Sequence, residues 1–181
     1  MPTAEAVAVF STDRLEIVFL SPDNALDAGK VVLECPKFIE AEFEAPPDPG
    51  FAADLTAGLV AGDPPPGVDR AAVFPFGLAL KGTPGFIGTG QFVLGFPSET
   101  TVFVGLLMLA EAHQRKGYGR EFFAGLYDWA RPQGINFARV RLHPRHKDAA
   151  AFLDKLGFAD LPNKLSSGHV VWERKLPAVE D

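Results

Sequence analysis

The chain has 181 residues, a net charge of -6 and a pI near 5.2, and 47% of its residues are hydrophobic. This apolar content exceeds what a disordered chain carries, and the length suits one domain, so we expect a single globular domain over residues 1–181. The acidic balance argues against nonspecific nucleic-acid binding, because no overall cationic field attracts a polyanion. No apolar run approaches the roughly 20 residues of a membrane span, and the first residues lack a signal-peptide pattern. The sequence therefore predicts a cytoplasmic protein that binds neither nucleic acid nor membrane.

A single cysteine, Cys35, excludes an internal disulfide and a cysteine-based zinc cluster, and a buried, inert thiol is the expected state. Few metal-ligand candidates remain, because His113 and His169 have no suitable neighbours in the sequence, so no metal site is predicted. Residues 115–175 carry 12 of the 17 basic and 6 of the 23 acidic side chains, which makes this segment +6 and the remainder -12. The segment is suited to a polyanion and the remainder to a cation.

The periodicity of apolar residues predicts the elements in chain order. The predicted strands are 15–19, 73–80, 86–94, 101–109, 137–142 and 170–176. Helices are predicted over 23–43, over 51–60 and between Gly117 and Pro132. A last helix is predicted to be capped by Asp148 and to end at Gly157. A five-residue hairpin loop, 81–85, joins two of the strands. Because 19 of the 34 Gly and Pro residues lie between Pro46 and Pro97, we expect loops and short hairpins there rather than long helices.

Strand, helix, strand, helix and strand, preceded by hairpins, describe an α/β fold. Strand 101–109 is apolar almost throughout, which is typical of a central strand that is buried on both faces. We therefore predict a mixed, mostly antiparallel sheet with flanking helices.

The segment 114–120, Gln-Arg-Lys-Gly-Tyr-Gly-Arg, lies between this buried strand and an amphipathic helix. The start of a helix has unpaired backbone N–H groups and a partial positive charge, so a glycine turn there favours an anion, above all phosphate. Three basic side chains add positive charge: Arg115, Lys116 and Arg120. The P-loop pattern is absent, and neither Gly-x-Gly of the chain continues into the dinucleotide-binding fingerprint.

Gln114-x-x-Gly117-x-Gly119 after the strand 104–109, with the segment 149–158 ending in Lys-Leu-Gly-Phe, resembles the GNAT superfamily of N-acetyltransferases. The resemblance covers about 101–158, the expected cofactor-binding half. The opening Asp-Arg-Leu at 13–15 makes the chain most similar to the branch of ribosomal-protein N-terminal and related small-substrate acetyltransferases. The resemblance implies the acyl-CoA N-acyltransferase fold.

The resemblance also implies that acetyl-CoA binds between two splayed central strands. Its pyrophosphate would lie on backbone amides of the loop formed by Gln114, Arg115, Lys116, Gly117, Tyr118, Gly119 and Arg120. Its pantetheine arm would extend the sheet along Met108, Leu109 and Ala110 by main-chain hydrogen bonds. A strand N–H would polarise the acetyl carbonyl, and an amine would attack it directly.

The sequence departs from the family at three positions. Leu153 stands where many relatives have a tyrosine that protonates the departing thiolate, and Val104 stands where the branch often has an acidic residue. His146 stands where an asparagine commonly contacts the cofactor. Glu99 is the predicted proton acceptor for the amine, and His143 or His146 are the alternatives.

The predicted function is acetyl-CoA-dependent transfer of an acetyl group to a primary amine. The acidic remainder of the chain favours a cationic acceptor, either a small molecule or a protein N-terminus. The segment 46–66 is expected to shape the acceptor pocket, and the phenylalanine-rich hairpin strands suggest a possible homodimer. Two other interpretations remain open: a catalytically silent CoA-binding or interaction module, and a structural domain without CoA.

Overall fold

A computed structural model describes residues 7–44 and 48–179. The strands are β1 (Ala8–Ser11), β2 (Leu15–Phe19), β3 (Val73–Leu80), β4 (Gly88–Leu94), β5 (Thr101–Leu109), β6 (Phe137–Leu142), β7 (Ala159–Asp160) and β8 (Val170–Lys175). The helices are α1 (Ala25–Leu33), α2 (Pro36–Phe43), α3 (Pro49–Ala61), α4 (Tyr118–Ala130) and α5 (Lys147–Lys155). None of these helices is long and apolar enough to cross a membrane.

The eight strands form one sheet in the order β1-β2-β3-β4-β5-β6-β8-β7. Every neighbouring pair is antiparallel except β5 and β6, which run parallel. Helix α4 makes the crossover between these two strands, as a parallel connection requires. The mixed, mostly antiparallel sheet with flanking helices is therefore confirmed.

Helices cover both faces of the sheet. One face packs against α4 and α5 in a core that includes Phe76, Phe92 and Phe122, all fully buried. The other face packs against α1, α2 and α3 through Met108 and Ile39. The amphipathic helix α4 turns its apolar stripe towards the first core, which leaves its polar side in solvent.

The structure corrects two of the expectations about helices. The helix predicted over 51–60 is present as α3, but it is longer than expected for the Gly- and Pro-rich region, with 13 residues, because Pro49 stands at its first position and the side chain of Asp48 caps it. Asp148 does not cap α5; the N-cap residue is His146, and Asp148 lies in the first turn. Gly157, with φ of 89°, follows α5 as predicted.

The basis for the predicted homodimer is also wrong. The hairpin strands β3 and β4 lie inside the sheet, and their phenylalanines Phe76 and Phe92 are fully buried rather than exposed. The sheet edges are the short strands β1 and β7, which the sequence analysis did not predict.

Candidate active site

The two central strands separate halfway along their length. β5 and β6 pair from Thr101 with Phe137 to Val104 with Val140, and no further pair follows. β5 nevertheless continues to Leu109 and β6 to Leu142. A gap therefore opens between the carboxyl-terminal ends of β5 and β6, and we call it the strand gap.

A β-bulge at Gly105 begins the strand gap. Gln91 of β4 is paired with Leu106 and Phe92 with Val104, so Gly105 is the extra residue. The bulge reverses the alternation of side chains: Val104 packs on the α4 side of the sheet, but Leu106 packs on the α1–α3 side. A Cβ at position 105 would have no described heavy atom within 4 Å, so the bulge borders open space.

Beyond the bulge, the backbone of β5 points alternately to β4 and into the strand gap. Ala110 faces β4, because its N–H donates to Ile87 O. By this alternation, the N–H and C=O groups of Met108 also face β4, and those of Leu107 and Leu109 face the strand gap. Of the three residues predicted to hold the pantetheine arm, Leu109 thus faces the gap, and Leu107 faces it without having been predicted.

Two side chains already reach the carbonyl oxygen of Leu109. The Cys35 thiol donates to it at 3.1 Å and the Gln114 amide at 2.9 Å. Cys35 is fully buried, as predicted, and burial, with Glu111 and Glu34 nearby, raises the pKa of its thiol to about 12. The thiol is therefore protonated at neutral pH.

The glycine loop follows β5 at the same end of the strand gap. Gly117, with φ of 83°, is the N-cap of α4, and the first intrahelical bond runs from Glu121 N–H to Gly117 O. The N–H groups of residues 118–120 thus have no partner within the helix. Arg115 also adopts a left-handed conformation, with φ of 62°, and this conformation is costly for a non-glycine residue.

Arg14 holds this loop in place, a role that the sequence analysis missed. Its guanidinium donates to Glu121 Oε2 at 3.0 Å and to Lys116 O at 3.1 Å, and it lies 4.4 Å from the centre of the Tyr118 ring. Arg14 is more than 100 residues away in sequence, so the loop gives no local signal of this contact.

The loop side chains divide into two groups. Arg115, Lys116 and Arg120 are exposed beside the helix start, as an anion site requires. Tyr118 is buried under Arg14, so only its backbone N–H is available to a ligand. Gly119 faces the protein, because a Cβ there would lie 2.9 Å from Phe152 Cζ of α5.

The predicted chemical residues lie elsewhere. Glu99 is exposed and lies before the amino-terminal end of β5, where β5 and β6 are paired, so the structure separates it from the strand gap. Val104 and Leu153 are buried in the core beneath α4, and neither has a titratable group. The remaining predicted candidates are the histidines His143 and His146, which lie near Glu42 of α2.

Helix α2 crosses the strand gap on the α1–α3 side of the sheet. At its first turn the N–H of Lys37 donates to Glu111, which follows β5, and beyond its last turn Glu44 pairs with Arg145, which follows β6. A groove of about 490 Å³ runs along α2 and is lined by Lys37, Glu40, Ala41, Glu44 and Arg145. The described part of the segment 46–66 contributes no lining residue, and Pro46 itself lies outside the described residues.

His143 and His146, the alternative proton acceptors, lie at the β6 end of α2. Nearby Arg145 lies against the His143 ring and donates its backbone N–H to Nδ1 at 3.2 Å. Slight desolvation and the charges of Arg145 and His169 lower the pKa of His143, so the imidazole is neutral at neutral pH. His146 is buried, stacks on Phe38 and is hydrogen-bonded to Glu42.

These features match the requirements of acetyl-CoA. The strand gap offers a free backbone edge to an amide-containing chain, the start of α4 offers N–H groups and cationic side chains to phosphate, and Gly105 leaves room between them. Among the described residues, no group of three or more side chains has the geometry of a metal site.

A split central strand pair beside a glycine loop is the architecture of acyl-CoA N-acyltransferases, and the comparisons agree. Residues 37–158 match the model of the acetyltransferase (GNAT) family, so the chain belongs to this family. It is therefore an acetyltransferase, and acetyl-CoA is its acetyl donor. No curated protein sequence matches the chain significantly.

Solved structures of acetyltransferases share the fold at low identity. An acetyltransferase from Thermus thermophilus is 21% identical, with a TM-score of 0.69 over 94% of this chain and 100% of that one. The PaiA N-acetyltransferase of Thermoplasma acidophilum, solved with coenzyme A, is 16% identical, with a TM-score of 0.68 over 90% and 99%. RimL, a ribosomal L7/L12 α-N-protein acetyltransferase, is 13% identical, with a TM-score of 0.73 over 97% and 98%. The predicted resemblance to ribosomal-protein acetyltransferases thus extends to the fold.

Proposed function

We propose that the protein transfers the acetyl group of acetyl-CoA to a primary amine by direct attack. The observation that carries this proposal is the bulge at Gly105, where β5 leaves β6 and an open strand edge meets the start of α4. This arrangement would align an extended thioester along β5 and leave its carbonyl accessible from the α2 side.

The backbone of β5 and the glycine loop would each bind one part of acetyl-CoA. The N–H and C=O groups of Leu107 and the N–H of Leu109 would hold the pantetheine arm, because Leu109 O already accepts from Cys35 and Gln114. The N–H groups of 118–120 would hold the pyrophosphate. Arg14 would act indirectly, by fixing the loop that carries these donors. Acetyl-CoA, when bound, supplies the activated acetyl group.

Direct attack is supported by the state of Cys35. It is the only cysteine of the chain and it lies at the end of the strand gap, yet its thiol is buried, protonated and bonded to Leu109 O. The thiolate, not the thiol, is the nucleophile in acyl transfer, so an acetyl-cysteine intermediate is disfavoured.

An amine acceptor is supported by the charge of the surroundings. The groove along α2 is itself charge-balanced, since Lys37 and Arg145 line it beside Glu40 and Glu44, but the chain outside 115–175 carries a net charge of -12. A cationic amine is steered towards such a surface. Since RimL is named as acting on a protein N-terminus, a peptide N-terminus belongs among the acceptors to test, beside polyamines and aminoglycosides.

The test is release of the CoA thiol in the presence of a panel of these amines, with both substrates varied. Direct attack predicts initial-velocity lines that intersect, because acetyl-CoA and amine must be bound together. Parallel lines would indicate an acetyl-enzyme and contradict direct attack. Tight CoA binding without release by any amine would indicate the silent module instead.

The single domain over 1–181, the cytoplasmic location and the homodimer remain predictions. Sedimentation of the purified protein measures the oligomeric state directly.

A further inference from the structure

A buried carboxylate on the α2 side of the sheet joins three distant segments. The side chain of Glu42 is 7% exposed and accepts hydrogen bonds at both oxygens, from His146 Nε2 at 3.0 Å and from His169 Nε2. Arg141 Nη2 lies 3.8 Å from the same carboxylate. The partners come from β6, from the turn after β6 and from the residue before β8.

The carboxylate of Glu42 is ionised at neutral pH. Burial alone would raise its pKa, but the hydrogen bonds from His146 and His169, with the charges of His169 and Arg141, outweigh burial and lower the pKa to about 2. An ionised carboxylate only accepts, so each imidazole presents Nε2–H to it. For a neutral His169, Nδ1 is then the acceptor.

The acceptor nitrogen of His169 contacts a hydroxyl at the surface. Ser167 Oγ lies 2.8 Å from His169 Nδ1, and with Nε2 protonated the hydroxyl donates to this nitrogen. Ser167 is exposed whereas His169 is buried. A continuous path of hydrogen bonds therefore runs from a surface hydroxyl through an imidazole to a buried carboxylate.

The strand register places this path beside the strand gap. Val104 with Val140 is the last pair of β5 and β6, so Arg141, the next residue, lies level with the bulge at Gly105. Leu142 pairs with Val170 of β8, which places His169 beside His143, and their rings are perpendicular at 5.2 Å. Arg141 thus lies level with the bulge on the β6 side of the gap, and His143 and His169 lie two residues further towards the open end of the gap.

We propose that Ser167, His169 and Glu42 form a relay that accepts the proton of the attacking amine. This inference rests on the proposed function. It supplies the base that Val104 does not provide, and Glu99 lies at the paired end of β5 rather than at the strand gap. Glu42 acts as a positioning residue, since it fixes the tautomer of His169 and stabilises the imidazolium.

The relay step conserves protons and electrons. The acceptor ammonium gives one proton to Ser167 Oγ, while the hydroxyl proton of Ser167 moves to His169 Nδ1 and from there to solvent. The neutral amine nitrogen then forms a bond to the acetyl carbon and the C–S bond breaks. Its electron pair leaves with the thiolate, which takes the second proton from the nitrogen. Ser167 ends unchanged, and no covalent bond to the enzyme forms.

The pH dependence of this relay involves every charged group around His169. Glu42 of α2 and Ser167 are hydrogen-bonded to His169, and the ring of His143, at the end of β6, packs against it. Three further charged or titratable groups lie nearby: Arg141, Arg145 and His146. Loss of the negative charge at Glu42 makes the imidazolium less stable. The acidic limb of the kcat/KM profile is then expected to move to lower pH.

The test compares Ser167→Ala with Ser166→Ala, its exposed neighbour, in the acetyl-CoA assay with the best amine of the panel. We expect Ser167→Ala to lower kcat by about 100-fold, within the range of general base catalysis, without raising the Kd of CoA, and Ser166→Ala to match wild type. Ser167 is exposed, so its variant is expected to fold. Glu42→Gln should both lower kcat and move the acidic limb.

A second acceptor separates proton removal from positioning. An amine that is already neutral at the assay pH needs no base before attack, so Ser167→Ala should slow it far less than a strongly basic amine. Equal losses with both amines, or equal rates of Ser167→Ala and Ser166→Ala, would overturn the relay while the proposed function stands. Acetyl-Ser167 in the mass spectrum of quenched enzyme would overturn it too, as a nucleophilic role. If no amine is accepted, the proposed function fails and the relay with it.

Discussion

Replacement of Glu42 by glutamine should remove a pH-dependent part of the stability. The pKa of this carboxyl falls from its ordinary 4.5 to about 2, because hydrogen bonds from His146 and His169 outweigh its burial. At about 1.4 kcal/mol per pKa unit, the shift corresponds to about 3 kcal/mol of the free energy of unfolding. A lowered folded-state pKa stabilises the protein above the unfolded-state pKa, and this contribution is lost as the pH falls through the folded-state value.

The assay is urea-induced unfolding of wild type and Glu42→Gln at about pH 7, 5 and 3. The variant should be less stable by about 3 kcal/mol at neutral pH, and the difference should shrink between pH 5 and 2, where Glu42 of the wild type becomes protonated. Glu40→Gln, exposed on the same helix, should change stability by less than about 0.5 kcal/mol. A difference between wild type and Glu42→Gln that stays constant with pH would refute the reasoning.

Four further substitutions test the site. Cys35→Ser should keep kcat and show intersecting kinetics, and wild-type Cys35 should resist alkylation until the protein unfolds, since its thiol is buried with a pKa of about 12. Gly117→Val should weaken CoA binding in a calorimetric titration because a side chain is strained at φ of 83°, and unchanged affinity in a folded variant would exclude the loop. Arg14→Ala should raise the Kd of CoA by releasing the loop from Glu121, although Arg14 is not expected to touch CoA. Tyr127→Phe should preserve activity and stability, because its buried hydroxyl has no partner among the described residues; a hundredfold loss of kcat would show that a tyrosine acid was missed.

The parts of the fold that could be predicted are those with a strong apolar pattern. Strands 73–80, 101–109 and 137–142 have the predicted bounds, because buried central strands show the pattern over their whole length. The edge strands β1 and β7 were missed, since four and two residues are too short for such a pattern. The length of helix α3 was underestimated, because composition does not distinguish a proline at a helix start from one that prevents a helix.

The residues of the candidate site also divide into those that local sequence predicts and those that it does not. The glycine loop could be predicted because its donors are consecutive in sequence and its chemistry belongs to a helix start. Glu42 could not, since its hydrogen-bond partners His146 and His169 are 104 and 127 residues away. Glu99 was chosen for its closeness in sequence to strand 101–109, but it lies at the paired end of that strand rather than at the open one.

The most direct test of acetyl transfer at the strand gap is a crystal structure of the protein with coenzyme A. We expect the pantetheine arm between β5 and β6, hydrogen-bonded to the backbone of Leu107 and Leu109, and the pyrophosphate on the N–H groups of residues 118–120. The thiol should lie beside the bulge at Gly105, on the side of the sheet that α2 covers. Coenzyme A bound elsewhere, with the gap between β5 and β6 closed, would contradict the account.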